Sequence, residues 1–387
     1  MRALIGIGIL VFGILALPMC KADALHEEGY PRTVTDITGR HVTLKHRPTR
    51  VFLTQPRQLY TLAILLRDPV KRLAGWAYPL DVYDPAATQL FTRQWPELEK
   101  LPALSQTTAS GINNEALISL APDLVLFDLT SLSSVENSSL ATTLNSLGIP
   151  YLFIDFNQHP LENTPASLML LGRALDVEAQ ADSAVDLIGR HLALIDQRLA
   201  TVSDRPDVLI NVAPGLKIDC CRTNLSTGLA DLVARAGGHN AAASLVSAQN
   251  VTLSTEWVLS HAPDTIINTA GLWSAGGGIR AGIDVDEQEI ETDLHALTSL
   301  LPGWSQLDAV KQGHFYALWH GFHQGPFAIV ALEQIAKWLH PDLFSDLQPE
   351  ETFKALLSTT TPLTPTGRFW ASLPAQTASS HTPSSHD

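Results

Sequence analysis

Two stretches of this chain carry nearly the same phrase: EALISLAPDLV at Glu115–Val125 and EWVLSHAPDTI at Glu256–Ile266. In each, a helix entered through Glu stops before Pro, because the residue preceding a proline is pushed out of the helical region. Asp then opens an apolar run of strand character. A helix–break–strand unit used twice predicts two related α/β halves.

The pattern outside the two copies agrees. Thr33–Leu44 alternates like a β-hairpin turning at Thr38-Gly39-Arg40. Strands are expected at Arg50–Thr54, Arg72–Trp76, Asp123–Phe127 and Pro150–Asp155, with helices at Gln58–Leu66, Asn114–Leu120 and Ser138–Leu147. Gly148 suits the C-terminal cap of the last helix. A second series reads as strand Asp207–Val212, helices Leu225–Ala236 and Thr255–His261, strand Asp264–Asn268 and strand Phe315–Leu318. Such alternation argues for α/β architecture with mainly parallel sheets. Between the series, Pro165–Ser203 has no further proline and repeats Leu, Ile, Val and Ala at helical spacing. The expected organisation is a signal peptide at 1–24, a first lobe at 25–164, a connecting helical segment at 165–205, a second lobe at 206–372 and a disordered tail at 373–387.

The 387 residues suffice for two domains, and 45% apolar with 17% charged residues excludes a disordered chain. A net charge of −14 speaks against a nucleic-acid partner. Three cysteines exclude a disulfide framework. Met1-Arg2 followed by the apolar run Ala3–Leu17 and by Ala22-Asp23-Ala24 reads as a cleaved export signal. Cleavage before Leu25 would move the charge to −15 and leave a soluble periplasmic protein, expected to be a monomer. Lipidation at Cys20 is the competing reading, with Met19 a poor fit before a lipidated cysteine.

The order of phrases along residues 33–358 resembles the periplasmic binding proteins that feed ferric-siderophore, haem and cobalamin ABC transporters. The resemblance rests on Val34-Thr35-Asp36, Gly39-Arg40, Leu124-Val125-Leu126-Phe127, Gly148-Ile149-Pro150, Leu170-Leu171-Gly172, Ala236-Gly237-Gly238-His239-Asn240 and Ala262-Pro263-Asp264. Arg57-Gln58-Leu59-Tyr60, the run Gln158–Thr164 and Ala336-Lys337-Trp338-Leu339-His340-Pro341 look like its iron-complex branch. It implies two Rossmann-like lobes joined by a single long backbone helix, the class III architecture, with the ligand between the lobes. The implied function is capture of an iron(III)-siderophore-type chelate and delivery to an inner-membrane ABC permease. It implies no catalysis and no resident cofactor, since iron travels as part of the ligand. In that family an acidic residue on each lobe pairs with permease arginines; Glu99 matches the first, and Asp231 substitutes where Ala234 stands in place of the expected Glu.

An anionic, flat-faced chelate calls for guanidinium groups and aromatic surfaces. Candidates lie after strands, where loops open onto the cleft of a parallel sheet. Arg57 follows the first strand, and Tyr60 one turn on is as compatible with core as with binding surface. Trp76 and Tyr78 end another strand. Trp273 and Arg280 flank a glycine cluster, with Arg280 read either as an anion contact or as a surface partner of the acidic stretch Asp284–Glu291. Trp319, His320 and His323 follow Phe315–Leu318; the histidines suit a chelate donor, a haem ligand or plain loop positions. Cys220-Cys221 reads as an adjacent-residue disulfide shaping a cleft-facing loop, with free thiols and metal ligation as lesser alternatives. No His pair shows a metal-ligand phrase and no Gly-x-Ser-x-Gly elbow is present, so a free-metal carrier and a hydrolase rank below a chelate, haem or cobalamin binder.

Overall fold

The computed structural model describes residues 29–104, 107–108, 111–216, 220–245 and 250–376. The expected signal peptide, Cys20 and the end of the tail lie outside the described residues. In the first lobe four parallel strands run in the order Leu73–Trp76, Val51–Leu53, Leu124–Asp128, Tyr151–Ile154. Their side chains alternate between two apolar clusters. Val51, Leu53, Leu124, Leu126, Leu152 and Ile154 enter one, and Phe52, Val125, Phe127, Tyr151 and Phe153 the other. With both faces covered, the strands read as continuous apolar runs.

The second lobe repeats the plan. His239–Asn240, Asp207–Asn211, Thr265–Ala270 and Phe315–Trp319 lie parallel in that order, and Trp370–Ser372 closes the sheet antiparallel. The two copies of the repeated phrase do the same job in each lobe. Asn113 and Ser254 cap their helices by accepting from the N–H of Ala116 and Trp257. Ala121 and Ala262 turn the chain with φ of 45° and 42°. The Asp123 carboxylate then accepts from the N–H groups of Thr49 and Arg50 at 2.8 and 2.9 Å, and that of Asp264 from the Asp207 N–H at 2.8 Å. Each aspartate thereby ties the start of the neighbouring parallel strand to its own.

The connection differs in detail from the expected segment at 165–205. One helix starts already at Pro160 and runs to Leu175, where Asp176 enters the left-handed region at φ 62°. The backbone helix proper is Glu178–Leu199, 22 residues or about 33 Å long at the usual rise. The two helices pack closely because Gly172 has no side chain; a Cβ there would lie 2.5 Å from that of Ala181. In the second lobe the helix expected from Leu225 begins only at Leu229, after Gly228 with φ 63°. The helices Pro85–Gln94, Glu287–Leu300 and Pro349–Ser358 fall in stretches that periodicity left unassigned. The tail expected to be disordered from 373 is held as far as Gln376. Leu373 is buried and donates its N–H to the Phe315 carbonyl at 2.8 Å, and Gln376 donates to that of Lys311 at 2.9 Å.

The lobes share a core. Tyr60 of the first lobe meets Trp319 and Phe327 of the second edge to face, with ring centroids 6.1 and 5.6 Å apart. Among the described residues no helix is long and apolar enough to cross a membrane.

Candidate functional site

Between the lobes lies a cavity of about 830 Å³, within the size range of small-molecule sites. Its walls are the loops that follow the parallel strands. Gln55 and Arg57 come after Val51–Leu53, Thr130 after Leu124–Asp128, and Asn157 and Gln158 after Tyr151–Ile154. Opposite them stand Ala213 after Asp207–Asn211, Trp273 after Thr265–Ala270, and His320, His323 and Gln324 after Phe315–Trp319. All six loops leave the carboxyl ends of strands, where a doubly wound sheet presents its ligand crevice.

Arg57 is buried at the cavity wall. Its Nη1 donates to Gln324 Oε1 across the lobes at 2.6 Å, and its guanidinium carbon lies 4.4 Å from the centre of the Tyr83 ring. Burial lowers its pKa, with Tyr83, Tyr60 and Asp84 opposing; an arginine starts high enough to stay charged at neutral pH. A second guanidinium, Arg222, lines the same cavity, and no carboxylate belongs to the described lining. The histidines are neutral. Burial is the first cause holding His320 well below the usual imidazole range, and it pushes His323 down to about 3, with Arg57 adding to both. His320 Nδ1 lies 3.0 Å from the Thr269 hydroxyl, whereas His323 Nδ1 is buried without a partner among the described residues. The Trp273 indole packs against His320 with ring centroids 5.1 Å apart.

The structure thus gathers Arg57, Trp273, His320 and His323 and separates the other candidates from them. Tyr60 is core, its hydroxyl 3.3 Å from Asp84 Oδ2. Trp76 is buried in the same apolar cluster, and Trp319 in an aromatic one with Phe322 and Phe369. Neither lines the cavity. Tyr78 stands one layer back, edge-on to Tyr83 at 5.6 Å. Arg280 is the largest correction. Its guanidinium is gripped by Asp293 at 2.8 and 3.0 Å and by Glu289 at 2.6 Å, which places it among acidic side chains of the helix Glu287–Leu300.

Cys220 and Cys221 are bonded to each other, and the pair leads into the strand Arg222–Asn224. Glu99 is exposed on the turn Pro96–Lys100, while Asp231 is not free, its carboxylate 3.2 Å from His159 Nδ1. Among the described residues no cluster of three or more His, Cys, Asp or Glu could hold a metal ion.

Arg222, Tyr83 and Gln324 are among the cavity residues that sequence reasoning missed. Tyr83 and Gln324 sit in loops that follow strands and Arg222 opens the short strand Arg222–Asn224, which are signals of place without one of type. Asp155 is a hidden contributor. Fully buried, it accepts from the N–H groups of Asn157, Gln158 and His159 at 2.9, 2.8 and 3.0 Å and so bends that loop toward the cavity.

Two parallel-sheet lobes, one backbone helix and a cleft built from strand ends define a two-lobed solute-binding protein. The family model described as periplasmic binding protein matches residues 73–319, and the chain belongs to that family. It is similar to YvrC of Bacillus subtilis (strain 168), described as an uncharacterized ABC transporter substrate-binding lipoprotein. The two are 25% identical over 325 residues, 82% of this chain and 88% of the relative. Among solved structures it is similar to the TroA-like periplasmic binding protein FepB from Veillonella parvula, with TM-score 0.80, 25% identity and coverage of 89% of this chain and 100% of that one. The fold, at 20% identity, is also that of the molybdate periplasmic binding protein MolA of Haemophilus influenzae, with TM-score 0.62 and coverage of 85% and 97%. The chain is therefore a substrate-binding protein of an ABC transporter, working outside the cytoplasm with a ligand and a membrane permease as partners.

Proposed function

We propose that the cargo is an anionic iron(III)-siderophore-type chelate, held between the lobes and handed to the permease. The observation that carries this reading is the pair Arg57 and Arg222 on a cavity whose described lining has no carboxylate. Two guanidiniums in a partly desolvated cleft attract a complex of opposite charge, and Tyr83 and Trp273 add aromatic surface to the lining. The iron arrives and leaves inside its chelate, so the protein needs no resident cofactor. Titration of purified protein with a panel of ferric hydroxamates, catecholates and carboxylates should quench tryptophan fluorescence, with at least one complex binding at about micromolar strength or better. Failure of the whole panel sinks the proposal.

A second reading is favoured by one observation. His323 offers a buried, neutral imidazole nitrogen without a partner among the described residues, which suits a macrocyclic metal complex with an open axial position. Haem or a corrinoid bound there would show a shifted visible absorbance band, lost in His323→Ala if that residue is the ligand.

Docking to the permease is assigned to Glu99, the exposed one of the two acidic candidates. Glu99→Lys should leave chelate affinity unchanged and lower transport; a defect in affinity instead would remove the docking role. Export by the Met1–Ala24 leader, with release at Leu25, is checked by mass spectrometry of the exported chain. A lipidated N-terminal Cys20 would overturn that part.

A further inference from the structure

The cavity contains one polar contact that joins the lobes through the binding group itself. Arg57 comes from the loop after Val51–Leu53 and Gln324 from the segment after Phe315–Trp319, and the 2.6 Å bond between them crosses the cleft wall. Arg57 is 5% exposed and lies on the Tyr83 ring, so its guanidinium has little freedom to choose another partner. His320, four residues before Gln324 in the same segment, packs against Trp273. What Gln324 offers is an amide oxygen, an acceptor with no net charge. A carboxylate in the same place would hold Arg57 as firmly and cancel its charge. Arg280 shows that outcome elsewhere in this chain, with its guanidinium occupied by Asp293 and Glu289.

We propose that Gln324 is a positioning residue that sets the cleft's preference for net negative ligands, by fixing Arg57 across the lobes while leaving its positive charge uncompensated. This rests on the anionic reading of the site and adds what maintains it. The ligand class follows: complexes whose oxygen atoms carry charge beyond that neutralised by the metal bind, and neutral complexes of similar size bind less well.

The test compares Gln324→Glu with Gln324→Met. In the wild type, quenching of the Trp273 component, taken as the difference from Trp273→Phe, should be stronger with iodide than with caesium. Gln324→Glu should reduce that bias at least about twofold at pH 7 and restore it as the new carboxyl is protonated. Gln324→Met should keep the bias, because Arg57 stays charged. Where a ferric chelate binds the wild type, Gln324→Glu should weaken an anionic complex about tenfold or more and a neutral one little. A merely structural role would make the two variants alike, with no dependence on pH or on the sign of the quencher, and would overturn the proposal. The quencher measurement needs no cargo, so a failed chelate panel with the iodide bias present in the wild type and reduced in Gln324→Glu counts against ferric chelates alone.

Discussion

Arg57 and Arg280 look interchangeable in the sequence, since both follow a strand and both sit near small or polar residues. What separates them is the company each keeps in space. Arg57 has a ring beneath it and an amide beside it, whereas Arg280 has two carboxylates. Arg57→Ala should therefore weaken an anionic ligand by about 1.5–3 kcal/mol, the range for hydrogen bonds to charged groups, as read by equilibrium titration. Arg280→Ala should leave affinity unchanged. With 39% of its side chain exposed, it should cost no more than about 1 kcal/mol of stability in denaturant melts. The histidines make a separate prediction. Their folded pKa values lie below the unfolded value near 6.5, His323 at about 3, so the unfolded chain binds more protons between those limits. Their contribution to stability is complete above about pH 6.5 and is lost as pH falls below it, for His323 down to about 3, by up to about 1.4 kcal/mol per pH unit for each group. His323→Asn should flatten that slope in urea melts run from pH 7 to pH 4; an unchanged slope would remove His323 as a cause. Residue identity alone placed Arg57 and the histidines as candidates, but burial and pairing had to sort Tyr60, Trp76, Trp319 and Arg280 out of the set.

Elements were more legible than side chains. The longer strands of both sheets appear where apolar runs predicted them, because a parallel strand covered on both faces is built mainly of apolar residues, and the buried Asn211 and Asn268 of the second sheet bond to each other. The repeated phrase was legible because its parts act locally: a cap at Asn113 or Ser254, a break before proline, and an aspartate that ties down the adjacent strand. Helices such as Glu287–Leu300 escaped because their polar residues dominate the composition and their few buried ones, Ile290, Leu294 and Leu297, gain meaning only from the sheet they cover. The junction of Pro160–Leu175 with Glu178–Leu199 is the element-scale point most sensitive to size. Gly172→Val would drive a side chain into Ala181 and should cost about 1–3 kcal/mol, the usual penalty of overpacking, seen as a lowered unfolding midpoint. A midpoint equal to wild type would show that the helices can separate without loss.

At the scale of the whole molecule the lobes are linked by more than the backbone helix. Ser274 Oγ donates to the Val82 carbonyl at 2.8 Å, the Gly228 N–H donates to the Gln158 carbonyl at 2.9 Å, and Tyr60 joins the aromatic core of the other lobe. A shared core predicts one cooperative unfolding transition in calorimetry; two resolved transitions would show that the lobes are energetically separate. Ligand at a hundred times its dissociation constant should raise stability by about 2.7 kcal/mol, since it binds only where both walls are in place. Sequence by itself determined the α/β plan, the duplication and the places where loops open on a cleft, because strands, caps and proline breaks are set by neighbours along the chain. Only the tertiary structure decided which charges meet there. Arg57, Gln324 and Arg222 come from three distant segments of the chain, and whether an arginine faces a ligand or a carboxylate depends on what folding brings within about 3 Å of it.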